Sequence, residues 1–364
     1  MVLIARTVAF PRSLLIALVI SGCTPVKPAD SPEPPPVVDV QSVFVGGEEG
    51  YPMYRIPALI EVPDGGLMAF AEGRQGIMDT GDIDVVMKRS DDGGETWSGL
   101  HVVIDAGADT AGNPTAFVEA DTGRIWLAYC TNPADSPNER RVWTTHSDDG
   151  GATWADPADI TSMVGESGWT WYATGPGRGI ETSTGRIVVP ADHADEAGVM
   201  ASHVIYSDDG GVSWALGGSL AAGSDESQVA ELQDGVLMMN ARTSVAPRRV
   251  VARSEDGGRT WGATAVDENL PDPGCEGSLL QTPDGLVFSN LDSEDLRANL
   301  TVRLSQDGGV TWPVARVVEP GWAAYSSLAR LPDGGLADLY EAGQEWPYEE
   351  IRLARFSIDW LSAQ

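Results

Sequence analysis

From residue 53 onward, short apolar runs alternate with polar turns, and the runs come in pairs. The pairs are LIEVPDGGLMAF around Gly65, FVEADTGRIWLA around Gly123, GIETSTGRIVVP around Gly185, VAELQDGVLMMN around Gly235, SLLQTPDGLVFS around Gly285 and SLARLPDGGLADL around Gly334. Two apolar arms joined by a turn containing glycine predict a β-hairpin. About 20 to 25 residues after five of these hairpins a polar motif recurs: SDDGGETW at 90–97, SDDGGATW at 147–154, SDDGGVSW at 207–214, SEDGGRTW at 254–261 and SQDGGVTW at 305–312. Aspartate and glycine suit a tight turn, because glycine takes positive φ freely and aspartate bonds nearby amides. The closing Trp is expected to pack beneath that turn. SIDW at 357–360 follows the sixth hairpin as a degenerate copy. Repeats of roughly 50–60 residues predict an all-β, six-bladed β-propeller with four strands per blade, carrying five clear Asp boxes and one degenerate one. The segment around Val43 and Val45 is expected to close the last blade, since an unpaired edge strand is a liability.

The ends read differently. Arg6 and Arg12 precede the apolar run LLIALVI at 14–20, which is too short to span a bilayer comfortably. ISGC at 20–23 resembles the lipobox of bacterial lipoproteins, which implies a signal peptide at 1–22 and lipidation of Cys23. An ordinary secretory signal is the alternative, and both readings export the protein. TPVKPADSPEPPPVVDV at 24–40 is proline-rich and without apolar periodicity, so 23–40 is expected to be a tether and 41–364 the propeller domain. The chain ends with the last blade, so no lectin module is expected. A net charge of -31 argues against nucleic acid as a partner, because no basic stripe exists to neutralise phosphates. Against so negative a field, arginines converging on one place carry information.

The propeller frame places them. Residues seven to ten positions from a hairpin turn lie at the end opposite that turn, so they share one mouth. Arg55 lies ten before Gly65 and Glu72 seven after it; Glu226 and Arg242 flank Gly235 by nine and seven; Tyr325 and Glu341 flank Gly334 likewise. Arg55 sits in MYRIPAL, an apolar run where an unpaired charge is costly, so it requires a carboxylate from the protein, from a ligand, or from both. Cys130 and Cys275 fall on blades that face each other across the ring, which argues against a disulfide.

From YRIP at 54–57 to LYE at 339–341 the chain resembles bacterial exo-α-sialidases (neuraminidases). The resemblance implies that Arg55, Arg242 and Arg297 grip a substrate carboxylate, guanidinium being suited to bidentate pairing. Arg303 is the competitor for the third role, but it stands well along the next strand. The resemblance further implies Tyr325 as nucleophile, Glu226 as its base and Asp79 as acid/base, with Asp82 and Asp84 as rivals to Asp79; sialidases are the glycosidases with a tyrosine nucleophile. A calcium site built from these three aspartates is the alternative, but no distal glutamate completes such a loop. Glu341 should orient Arg55, Glu72 should support either the loop or that arginine, and Arg74 should hold the mouth. Trp171, Tyr172 and His193 are candidate sugar contacts. The family often has a histidine where this chain has Arg178, which leaves substrate preference open. The expected activity is retaining hydrolysis of terminal sialic acids from glycoconjugates, without metal or cofactor. The alternatives are a hydrolase or trans-sialidase acting on KDN or related keto acids, and a non-catalytic propeller that binds sialoglycans.

Overall fold

The computed structural model describes residues 39–363, and in it each predicted hairpin forms and is extended outward by further strands. Met53–Glu61, Leu67–Arg74, Ile83–Ser90 and His101–Ile104 pair antiparallel in that order, and we call them the Arg55 set. Thr110–Val118, Ile125–Asn132, Arg141–Ser147 and Ala158–Asp159 do the same, with Arg140 immediately before their third strand. In the Trp171 set the inner strand is broken: Trp171–Thr174 and Ile180–Glu181 both pair with Ile187–Ala194, followed by Met200–Ser207 and Ala215–Ser219. Between the two pieces Gly177–Arg178 is diverted to pair in parallel with Thr115 and Ala116 of the preceding set. The Arg242 set is Ser224–Glu231, Leu237–Thr243, Arg248–Ser254 and Ala265–Pro271.

Ser278–Thr282, Gly285–Leu291 and Ala298–Ser305 continue into the long strand Val314–Arg330. The second half of that strand leaves its sheet and becomes the inner strand of the Tyr325 set, pairing with Leu336–Gly343 and then Glu350–Phe356. Asp39–Val45 completes this set by pairing with Glu350–Phe356, so the first and last of the described strands share one sheet. Asp39, the first described residue, is already paired. The leader, Cys23 and the tether up to residue 38 lie outside the described residues.

The sets pack side to side. Phe70 and Met68 of the Arg55 set meet Ile125 and Leu127 of the next, Val188 meets Leu237 and Met239, and Leu59 meets Leu339 and Leu353. The core is therefore divided among the interfaces between neighbouring sets, all of them apolar and fully buried. Each buried Leu, Phe or Met contributes roughly 1.5–3 kcal/mol.

The recurring polar motif forms one turn, repeated. At 147–154 the Ser147 hydroxyl accepts from Gly151 N at 2.8 Å, while Asp149 accepts from Thr153 N at 2.8 Å and Thr153 Oγ1 at 2.6 Å. The following Trp154 lies edge-on to Phe70 of the preceding set, 5.9 Å between ring centres, so the turn pins a ring into the joint. Residues 357–360 depart from this pattern. They lack the glycine pair that takes positive φ in the other copies, such as Gly150 and Gly151. Ser357 instead caps a short helix, Ile358–Ser362, accepting from Trp360 N.

Hydrogen bonds from threonine hydroxyls and backbone amides hold Asp92, Asp149, Asp256 and Asp307 down at about 2. In an unfolded chain an aspartate titrates near 4. A depressed folded-state value contributes stability that is present above about pH 4 and lost as pH falls toward about 2. The melting temperature is therefore expected to fall across that window. Asp149→Asn should lower it at neutral pH by a few degrees and make its fall on acidification shallower; an unchanged acid profile would exclude Asp149 from the effect.

Candidate active site

At the end of the sets away from the hairpin turns, Arg55 is 8% exposed and answers the question its position raises. Its Nε and Nη2 donate to Glu341 Oε1 and Oε2 at 2.9 and 3.1 Å, a bidentate pair. Burial disfavours its charge, but the Glu341 carboxylate outweighs this and holds it well above the usual arginine range. Glu341, fully buried, also accepts from Ile56 N at 2.8 Å and Tyr325 N at 3.2 Å. Ile56 has φ +59°, a left-handed conformation that costs a β-branched residue roughly 1–3 kcal/mol. The strand register slips there, and the kink turns Arg55 into the mouth with Nη1 left over.

The same device recurs one set along. Asn113 has φ +56°, and its amide donates to Glu72 Oε1 at 2.7 Å. The other Glu72 oxygen accepts from Arg74 Nε at 2.7 Å and from Arg74 Nη2. Arg74 in turn donates Nη1 to Asp79 Oδ1 at 2.7 Å and to Met78 O at 3.3 Å. Glu72 thus supports the loop through Arg74; it is the cross-strand neighbour of Arg55, but Arg55 pairs with Glu341 instead. Asp79 is exposed, with a second cation, Arg55 Nη1, at 3.7 Å. Partial burial raises its carboxyl, but Arg74 and then Arg55 prevail and keep it below the usual range. Its rival Asp84 is committed elsewhere, accepting from Tyr51 Oη at 2.6 Å and Ala106 N at 3.2 Å, while the backbone carbonyl of Asp82 closes the loop on Gln75 N.

Tyr325 lies on the floor. Its hydroxyl donates to Glu226 Oε1 at 2.8 Å and accepts from Arg242 Nη1 at 2.7 Å. Arg242 Nη1 also stands 2.6 Å from Glu226 Oε2, and its Nε donates to Asp225 Oδ2 at 2.9 Å. Burial pushes Glu226 up to about 7 despite Arg242. Burial likewise raises the Tyr325 phenol well above its ordinary value, with Arg242 opposing. The guanidinium carbons of Arg55 and Arg297 stand 5.2 and 5.4 Å from the Tyr325 ring centre, so three arginines surround one phenol. Arg297 has no carboxylate within ion-pair distance among the described residues; its Nη1 donates to Tyr348 Oη at 2.7 Å. Arg303, the competitor, is buried against Asp292 at 2.8 Å and Asn290, away from the mouth.

Among the candidate sugar contacts, Trp171 is half-buried, its Nε1 donating to Asp192 at 3.0 Å. Tyr172 turns the other way: only 4% exposed, its hydroxyl meets His203 Nε2 at 2.9 Å, so it supports the wall from behind. His193 is also largely buried, stacked on Trp169 at 3.7 Å and bonded to His203. Arg178 donates to Leu328 O at 2.9 Å and borders a cavity of about 720 Å³ with Glu61 and Arg330, not the cluster around Tyr325. Cys130 and Cys275 are buried and free. Sequence reasoning misses Asp225, Asn113, Arg140 and Tyr348, the last of which lies 4.0 Å beneath Arg55. The aromatic in WPYEE, seven residues past Glu341, is the one signal that could have drawn attention to it.

A family model described as BNR repeat-like domain matches residues 65–338. A sialidase from Micromonospora viridifaciens is 36% identical over 95% of this chain and 58% of its own length. An exo-alpha-sialidase from Aspergillus fumigatus is 33% identical over 86% of each chain. Among solved structures, the Hadza microbial sialidase Hz136 superposes with a TM-score of 0.82 at 28% identity, covering 88% of this chain and 69% of that one. The chain thus spans somewhat over half the length of the Micromonospora relative.

Proposed function

Because the chain belongs to the sialidase family, we propose that it is an exo-α-sialidase that releases terminal sialic acids with retention through a tyrosyl intermediate. We read its sheets as the six blades of a propeller whose recurring turns are Asp boxes, supported by strand pairing in consecutive sets of four. The observation that carries the chemistry is the 2.8 Å Tyr325–Glu226 hydrogen bond ringed by Arg55, Arg242 and Arg297.

The substrate carboxylate sits on C2, the carbon to be attacked, and it docks on the three guanidiniums. An anionic nucleophile would be repelled by that carboxylate, whereas a phenol is neutral until its proton leaves. Glu226 takes the proton from Tyr325 Oη as the oxygen bonds to C2. The C2–oxygen bond to the aglycone breaks, and the Asp79 carboxyl gives its proton to the departing oxygen. In the free protein Arg74 and Arg55 keep Asp79 ionised. A bound carboxylate competes for Arg55 and the aglycone excludes water, and both raise Asp79's proton affinity. Water then attacks C2 on the opposite side, Asp79 accepts its proton, and Glu226 returns the first proton to Tyr325. Two inversions give retention.

The test is release of 4-methylumbelliferone from its α-sialoside by the full-length protein in EDTA. Turnover is expected, with a loss of at least about 100-fold in Asp79→Ala. Saturable binding of sialic acid without release would overturn the enzymatic reading in favour of a sialoglycan-binding protein. The lipobox motif supports export and anchoring through Cys23, with sialylated glycans as substrates outside the cell. Cys23→Ala should move the protein from the membrane to the soluble fraction.

A further inference from the structure

A fourth guanidinium lies within electrostatic reach of Asp79, yet neither the carboxylate grip nor the proton transfers call on it. Arg140, at the end of the 133–140 loop, donates Nη1 to Asn113 Oδ1 at 3.2 Å and Nε to Pro137 O at 3.3 Å. No carboxylate pairs with it among the described residues, and its Nη2 has no protein partner there. Its guanidinium carbon stands 3.6 Å from the centre of the Trp171 ring, covering the indole face. Glu72, Asp192 and Asp79 act on this half-buried cation only from beyond ion-pair distance, so its Nη2 is left to whatever enters the site.

Where this wall stands follows from the packing order. Met53–Glu61 contacts the long strand bearing Tyr325 on one side and Thr110–Val118 on the other; Thr110–Val118 contacts Trp171–Thr174; Ser224–Glu231 lies between Ile187–Ala194 and Ser278–Thr282. The Trp171 set is therefore three steps from the Tyr325 set in either direction, directly across the mouth. In a six-membered keto-sugar ring C5 stands across from C2. With C2 held over Tyr325, the C5 substituent must point toward Trp171 and Arg140.

We propose that Arg140 sets which C5 substituent the enzyme accepts, favouring one that ends in a hydroxyl (5-hydroxy or hydroxyacetamido) over one that ends in a methyl. This rests on the sialidase reading above. A methyl group needs an apolar face, and the indole face that would offer it lies under the guanidinium. A hydroxyl oxygen can instead accept from the free Nη2, a charge-assisted hydrogen bond.

The experiment compares kcat/KM for the 4-methylumbelliferyl α-glycosides of KDN, N-glycolylneuraminic acid and N-acetylneuraminic acid. It uses full-length wild type, Arg140→Met, which keeps an apolar cover on Trp171 without donors, and Arg140→Ala, which uncovers the ring. Wild type should favour the two hydroxyl-ended sugars, and Arg140→Met should lower that preference about ten- to hundred-fold. In Arg140→Ala the N-acetyl substrate should gain relative to both others. A wild-type preference for N-acetyl, or a ratio unmoved in Arg140→Met, overturns the assignment. Release from none of the three would overturn the sialidase reading and this one with it.

Discussion

Tyr325→Phe should lower kcat on an activated α-sialoside by at least about three orders of magnitude while shifting the affinity for free sialic acid only a few-fold. The asymmetry follows from geometry. The substitution deletes one oxygen, the one that donates to Glu226 at 2.8 Å, and leaves the ring against which Arg55 and Arg297 rest. The carboxylate grip survives because Arg55 is fixed by Glu341 and Arg242 by Asp225. An interaction made only along the reaction path shows as lost kcat with little change in binding. Steady-state kinetics beside a direct binding titration separate the two. Near-normal turnover by the variant would remove Tyr325 from the mechanism, and a parallel collapse of binding would show that the hydroxyl holds the site together instead.

Glu341→Ala has the largest expected effect on stability. It deletes both acceptors of a buried bidentate pair, and it also strips the acceptor from the amides of Ile56 and Tyr325. Leaving one member of a buried ion pair uncompensated costs about 3–5 kcal/mol, so unfolding by denaturant should shift to clearly lower concentration. The neighbouring control is Arg297→Ala. Arg297 has no carboxylate to orphan, so its loss should weaken substrate binding while moving the denaturation midpoint little. Equal destabilisation by the two substitutions would contradict the division drawn here between an arginine held by the protein and one held open for a ligand.

The sequence makes the hairpins and recurring turns legible because glycine and aspartate carry backbone conformation in their own chemistry. It places Arg55, Glu341, Glu226, Arg242 and Tyr325 at one end because strand periodicity converts an offset from a turn into a height. Direction within that end is harder. Trp171 and Tyr172 are adjacent on a strand, so they must point to opposite faces, and only one can reach the mouth. Nothing in an isoleucine announces a left-handed backbone, so the Ile56 and Asn113 kinks appear only when the carboxylates that bind their amides, Glu341 and Glu72, are in place. Arg140 and Tyr348 sit beyond strand ends, where loop paths and not periodicity decide position. SIDW at 357–360 keeps the serine, aspartate and tryptophan of the turn but not its glycines, and the backbone takes a helical course.

The strand Asp39–Val45 carries one further consequence, for the order of assembly. Its partner is Glu350–Phe356, and the ion pair at its start joins Asp39 to Arg355 across 316 residues. Every other sheet can form from neighbouring sequence as the chain is made. This one stays open until residues 350–356 have been made, so the first of the described strands is the last of them to find its neighbour. During that interval its hydrogen-bonding edge is bare, and the entropy of closing so long a loop must be met in a single step. The sheet of the Tyr325 set closes only once Glu350–Phe356 is made, and a chain interrupted before residue 350 would leave Asp39–Val45 unpaired.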